Sequence, residues 1–392
     1  MVPGSVPLPQ ETARKGRALV GDSEPLHLGV ALEAAGWHPA AWREEDARPG
    51  ELLTARYWTD LVTEAERGLL DFVTIEDALA LPSHGVQGRL DAVLIAARIA
   101  PVTRHIGLIP TAIATHTEPF HLSKAIATLD YVSSGRAGIR VRVAADPESA
   151  AHVGRRDVTA VDLLAEAADY VEVLRRLWDS WEDDAEIRDV RTGRFIDRDK
   201  LHYIDFEGAT FSVKGPSITP RPPQGQPIVA ALGHAAPAHR LIATSADVGF
   251  ITPHDERETA ATVADIAAAR PAGADPVRVF ADLVVFLDDT AAAAHARRQR
   301  LDDVAGIEYR SDAEVFTGSP AELADLLQQR RAAGVAGFRL RPATLPHDLA
   351  QITDGLVPEL QRRGAFRTAY PAPGTLRGLL GLPRPTSRYA TT

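Results

Sequence analysis

Short apolar runs separated by longer amphipathic stretches recur along this chain, and that alternation constrains its fold more than any other feature. The runs are LHLGVAL (26–32), DFVTIED (71–77), HIGLIPTA (105–112), AGIRVRV (137–143), PIVAAL (227–232), DVGFIT (247–252), VRVFADLVVFL (277–287) and VAGFRLR (335–341). Their length and flanking turn residues mark them as strands. Helical patterns lie between them. One covers 52–70, with Tyr57, Leu61, Ala65 and Leu69 at four-residue spacing; others cover 92–99 and 121–132. In a fourth, 163–178, Ala167, Tyr170, Val171, Leu174 and Trp178 share one side, as a buried helical stripe requires. Strands alternating with helices predict a parallel sheet, and eight strands are the number that closes a (β/α)8 TIM barrel. Periodicity alone also permits an open, doubly wound sheet.

One helix is fully marked: Ser319 at the cap, Pro320 at the first helical position, Glu322 completing a capping box, and Gly334 as the stop. The charged, Gly-containing stretch 179–226 breaks the rhythm and reads as an excursion off the barrel. Residues 1–24 and 382–392 are Pro-rich or polar without periodicity, so they read as an N-terminal extension and a C-terminal tail. A single barrel domain is expected over 25–381.

Composition narrows the function. The chain has no cysteine, which excludes disulfides, thiolate catalysis and cysteine-ligated metals. A net charge of −10 with dispersed arginines works against nucleic-acid binding, which needs a concentrated basic face. No apolar run is long enough to span a bilayer, and the N-terminus lacks the apolar centre of a signal peptide, so a cytoplasmic location is expected. HExxH, GxGxxG and Walker loops are absent, and the 13 histidines are scattered singly, so no metal site is expected.

Word-level matches then point to a family. GWHPAAWRE (36–44), YWTDLVTEAERGLLDFV (57–73), LDYVSSGRAG (129–138), LWDSWEDDA (177–185), FSVKGPSITPRPPQGQPIV (211–229) and VPELQRRGAFRTAY (357–370) resemble the luciferase-like flavin monooxygenases. The branch is the one containing nitrilotriacetate, long-chain alkane and dibenzothiophene-sulfone monooxygenases. The resemblance implies a barrel that binds reduced FMN (FMNH2) at the C-terminal strand ends, supplied by a separate NAD(P)H:flavin reductase. It also implies a homodimer and insertion of one atom of O2 into a small organic substrate. In such sites the cofactor carries the hard chemistry, so no side-chain triad is expected.

The resemblance also implies where the site residues stand. Asp77 matches the family acid after the second strand, whereas Glu76 stands where relatives have a small residue. Thr111 and His116 follow the third strand, near the flavin ring in relatives. Trp37, His38 and Trp42 fall in a loop near the mouth, where they either wall a substrate pocket or pack over the rim. Relatives read GRxxWNVVTS at the fourth strand; this chain reads GRAGIRVRVA and places Arg140 where the Asn stands, with Arg142 on the same face. An inward arginine needs an anionic partner: a flavin phosphate, an acidic substrate, or Glu76 or Asp77. Leu164 replaces a phosphate-reaching Tyr and Ala235 a phosphate-donating Ser, leaving Gly233, His234 and backbone N–H groups for that role. The stretch between Leu287 and Val315 is short where relatives carry a lid. His38, His116 and Arg140 are the catalytic candidates. Besides the monooxygenase, two readings stay open: a barrel without flavin that binds an anionic ligand, and a flavin-independent enzyme acting on an anion.

Overall fold

The computed structural model describes residues 26–154, 163–372 and 374–390. The expected N-terminal extension, 1–24, lies outside the described residues, as do the last two residues of the tail. The first half of the barrel runs β1 (His27–Leu32), α1 (Ala55–Arg67), β2 (Phe72–Ile75), α2 (Ala92–Ile99), β3 (Gly107–Ile113), α3 (Pro119–Val132), β4 (Gly138–Arg142), α4 (Pro147–His152) and α5 (Leu163–Asp179). The excursion holds two small hairpins, β5 (Glu186–Asp189) with β6 (Arg194–Ile196), and β7 (Phe206–Glu207) with β8 (Ser212–Val213). The second half continues with β9 (Ile228–Gly233), α6 (Ala236–Ser245), β10 (Val248–Ile251), α7 (Glu256–Ala269), β11 (Arg278–Leu287) and α8 (Ala291–Ala305). It ends with β12 (Glu314–Gly318), α9 (Pro320–Arg331), β13 (Gly337–Pro342), α10 (His347–Ala350), α11 (Val357–Arg362) and α12 (Leu376–Leu379).

Eight parallel strands close in the order β1, β2, β3, β4, β9, β10, β11, β13, with β13 returning to β1. These are the eight runs read from the sequence. A ninth strand, β12, adds to the upper half of β11 outside the ring. The stretch between Leu287 and Val315, read as short where relatives carry a lid, contains the four-turn helix α8 and the first residue of β12. EVFTG is too short and too mixed in polarity to announce itself; only pairing with β11 makes it a strand.

Local signals set most helix ends. Thr54 accepts a hydrogen bond from the Tyr57 N–H, so α1 begins at Ala55, three residues later than its apolar spacing suggests. The capping box at Ser319 and Glu322 forms in both directions. α9 stops at Arg331, and Gly334 takes φ +95° in the turn beyond. The tail is strapped down: Arg388 pairs with Glu172 of α5 at 2.9 Å, and Arg221 donates to the Pro385 carbonyl at 2.8 Å.

The barrel interior changes character along its axis. At the strand starts, Phe72, Phe250 and Phe280 pack ring against ring, and Leu376 and Leu380 of the α12 segment plug that end. Gly29 makes room for this layer, since a Cβ there would lie 2.2 Å from the Phe72 ring. Towards the strand ends the interior becomes charged, an arrangement tolerable only if each ion is paired.

Candidate functional site

The charged layer is a chain of alternating ions drawn from four strands. Arg140 on β4 donates Nε to Thr111 Oγ1 at 3.0 Å and forms a short ion pair with Glu76 just past β2. The other Glu76 oxygen lies 3.4 Å from Arg339 Nη1. Arg339 donates Nε to Asp282 Oδ1 at 2.9 Å, and Arg341 donates Nε to Asp282 Oδ2 at 2.9 Å. Arg341 then reaches Asp312 Oδ1 at 2.6 Å, and His234 Nε2 stands 3.6 Å from the other Asp312 oxygen. Asp282 and Arg339 face each other in the β11–β13 register, and side chains two residues apart share a strand face, which brings Arg341 to the same carboxylate.

Burial lowers the Arg140 guanidinium to about 10, with Glu76 working against the fall, so it remains a cation at neutral pH. Burial opposes ionisation of Asp282, but Arg339 and Arg341 hold it below the ordinary carboxylate range. Burial likewise opposes ionisation of Asp312, and Arg341 brings it down to about 2.

Above this layer, at the C-terminal strand ends, opens a cleft of about 580 Å³, the position and size of a ligand site in this architecture. One wall is apolar: Val141, Leu164, Ala231, Leu232 and Leu241. Glu33, Trp37, Arg89 and Arg142 also line it, with the Arg341 guanidinium 4.5 Å from the Trp37 ring centroid. His234 and Ala238 form a third edge, at the start of α6. That helix has Ala235 at its N-cap and no side-chain cap, so first-turn N–H groups are left for an anion. An apolar wall beside a cationic rim can hold a flat apolar ring that bears an anion.

The cleft brings together Trp37, Glu76, Arg140, Arg142, Leu164 and His234. Thr111 bonds to Arg140 from below, and Gly233 and Ala235 flank His234. The remaining candidates stand apart from the cleft lining. Asp77 turns its carboxylate to backbone, accepting from the Ala78 N–H at 2.8 Å and the Ala92 N–H at 3.0 Å, and so ties the loop to α2. His38 is buried; its Nδ1 accepts from the Ala40 N–H at 3.0 Å, leaving Nε2 to donate to Asp302 at 3.1 Å. It packs between Phe286 and Tyr309, and burial lowers its affinity for a proton. Trp42 and His38 line a smaller neighbouring cavity. His116, in a left-handed turn at φ +73°, donates Nε2 to the Ala144 carbonyl at 3.0 Å. Arg140 has Glu76 as its anion.

Sequence reasoning passed over Glu33, Arg89, Asp282, Asp312, Arg339 and Arg341. A signal existed for three of these. FRLR repeats the alternating pattern of IRVR, and Asp282 is the lone acid in β11, between Ala281 and the apolar run LVVFL.

The family model of luciferase-like monooxygenases matches residues 35–339. The chain belongs to that family. Among curated relatives, N-acetyl-S-(2-succino)cysteine monooxygenase of Bacillus subtilis is 31% identical, covering 93% of this chain and 98% of its own. Nitrilotriacetate monooxygenase component A of Aminobacter aminovorans is 29% identical, covering 95% and 99%. The solved structure of a long-chain alkane monooxygenase superposes with a TM-score of 0.82 at 23% identity, covering 92% of this chain and 96% of that one. This last likeness shows the shared luciferase-like barrel. As a family member the chain is an enzyme of the monooxygenase class, and none of its described helices is long and apolar enough to cross a membrane.

Proposed function

We propose that this chain is the oxygenase component of a two-component FMNH2-dependent monooxygenase that inserts one oxygen atom from O2 into a small organic substrate. The observation that carries the reading is the cleft itself, with an apolar wall and an uncapped helix N-terminus along one rim. Val141, Ala231, Leu232 and Leu164 would hold the isoalloxazine ring. Gly233, His234 and the N–H groups of Ala235 and Ala236 would hold the phosphate, in place of the hydroxyl donors that Leu164 and Ala235 lack. Bound reduced flavin supplies the two electrons that activate O2, one oxygen going to the substrate and the other to water.

The protein's part is placement and charge. Arg140 and Arg341 present fixed cations beneath the cleft, and their pairing with Glu76, Asp282 and Asp312 keeps that field constant without reorganisation. One relative is component A of nitrilotriacetate monooxygenase, which supports a separate reductase as partner, and the chain carries no GxGxxG motif of its own. We place the protein in the cytoplasm with that reductase, as a homodimer of single-barrel chains.

The test is titration with FMN, and with reduced FMN under anaerobic conditions, following quenching of Trp37 in the cleft. Saturation in the micromolar range, about −8 kcal/mol, supports the reading. Absence of binding by either form at millimolar flavin overturns it in favour of a barrel that has lost its cofactor, the reading that the replacements at Arg140, Leu164 and Ala235 would then explain.

A further inference from the structure

Every arginine of the interior ion chain uses its guanidinium edge fully or nearly so; two arginines in the same cleft, Arg89 and Arg142, do not. Arg89 makes a single bond, Nη2 to Glu33 Oε1 at 3.1 Å, while its Nε is buried and has no partner among the described residues. Arg339 and Arg341 each set Nε and an Nη together on Asp282, which is how a planar guanidinium normally grips a carboxylate. A buried N–H without an acceptor is costly, and here it borders a ligand-sized cleft.

Arg142 stands nearby. It donates Nη1 to the Asp77 carbonyl at 2.7 Å, and its guanidinium has no ion pair among the described residues. The charges of Arg89 and Arg142 both act on Glu33, whose carboxyl burial pushes above its ordinary range, with Glu76 adding to the rise. Of the two cations, only Arg89 bonds to this carboxylate, and it does so through one nitrogen. Glu33 follows β1, Arg89 follows β2, and Arg142 ends β4.

We propose that Arg89, with Arg142, forms the substrate-selecting subsite of this enzyme and that its ligand is a carboxylate carried by the substrate, with Glu33 as the internal competitor for Arg89. This rests on the monooxygenase reading only for the word substrate; the carboxylate site stands without flavin. The Arg89 Nε and Nη2 take the incoming carboxylate side-on, and Glu33 yields its single bond.

The experiment is calorimetric titration of the full chain, with and without FMN, using succinate and other two- to six-carbon carboxylates, and succinamide as the uncharged control. Succinate or a homologue binds at millimolar concentration or tighter, and succinamide does not. Arg89→Gln weakens the carboxylate tenfold or more, the loss expected for a charged hydrogen-bonding partner. Glu33→Gln strengthens it several-fold, a change of opposite sign that a folding defect would not produce. Affinity for FMN stays within about twofold in both variants. The proposal is overturned if no carboxylate binds by about 50 mM, if Arg89→Gln leaves carboxylate affinity unchanged, or if that variant weakens FMN instead, which would give Arg89 to the flavin phosphate. Carboxylate binding in a protein that ignores FMN would sink the flavin reading and leave this one standing.

Discussion

Replacing Glu76 by Gln tests whether the barrel mouth is held by its ion chain. In the native protein the Arg140 side chain is 7% exposed and that of Glu76 is 4% exposed. Arg140 remains a cation at neutral pH, so removing the Glu76 charge leaves a buried guanidinium with only Thr111 and a neutral amide as acceptors. Breaking one side of a buried pair costs roughly 3–5 kcal/mol, and the retained amide oxygen puts the expectation near the lower end, about 3 kcal/mol. The reverse change, Arg140→Met, should cost less, because Glu76 keeps Arg339 as a second cation at 3.4 Å. The double variant should recover part of the loss, with a coupling of about 2 kcal/mol between the two sites. Urea unfolding followed by circular dichroism at pH 7 gives all four corners of the cycle, and unchanged m-values would show that the same surface unfolds in each. Strictly additive single losses, or an Arg140→Met penalty as large as that of Glu76→Gln, would refute the argument that Glu76 is the shared anion of two arginines. The same series resolves what the sequence left open about Arg140: a stability loss without a change in ligand affinity makes it a structural cation.

Acid should weaken the fold through the same chain. Asp282 and Asp312 have folded-state values below their unfolded ones, so their stabilisation is present above about pH 4 and is lost as the pH falls through the folded values, about 2 for Asp312; urea midpoints should be flat from neutrality to about pH 5 and then drop, and Asp312→Asn should make the drop shallower. An equal drop in that variant would remove Asp312 from the account. Gly29→Ala should destabilise by about 1–3 kcal/mol, because the added Cβ would meet the Phe72 ring at 2.2 Å; an unchanged melting temperature would mean the aromatic layer repacks freely.

The family words carried more of the site than the residue chemistry did, and the reason can be seen at neighbouring positions. By resemblance, Asp77 had the better claim to the cofactor and Glu76 stood as a departure. Their side chains leave the strand end on opposite sides, so Glu76 enters the barrel while Asp77 ties its loop to the start of α2. A one-residue difference in phase decides this, and phase is fixed only when β2 pairs with β1 and β3. His38 illustrates the same limit: its motif was legible, but Asp302, which holds its ring, lies 264 residues away.

What the sequence determined by itself is whatever physics acts over a few residues: eight apolar runs, the helical stripes between them, and the capping box at Ser319, whose partner is three residues on. The tertiary structure alone decided which charges meet. Arg140 and Glu76 are 64 residues apart and Arg339 and Glu76 are 263 apart, and nothing local favours either contact. Closing β13 onto β1 brings those groups into a buried layer, where each must find an opposite charge. The unused edge of Arg89 in the cleft becomes visible only after that pairing is complete.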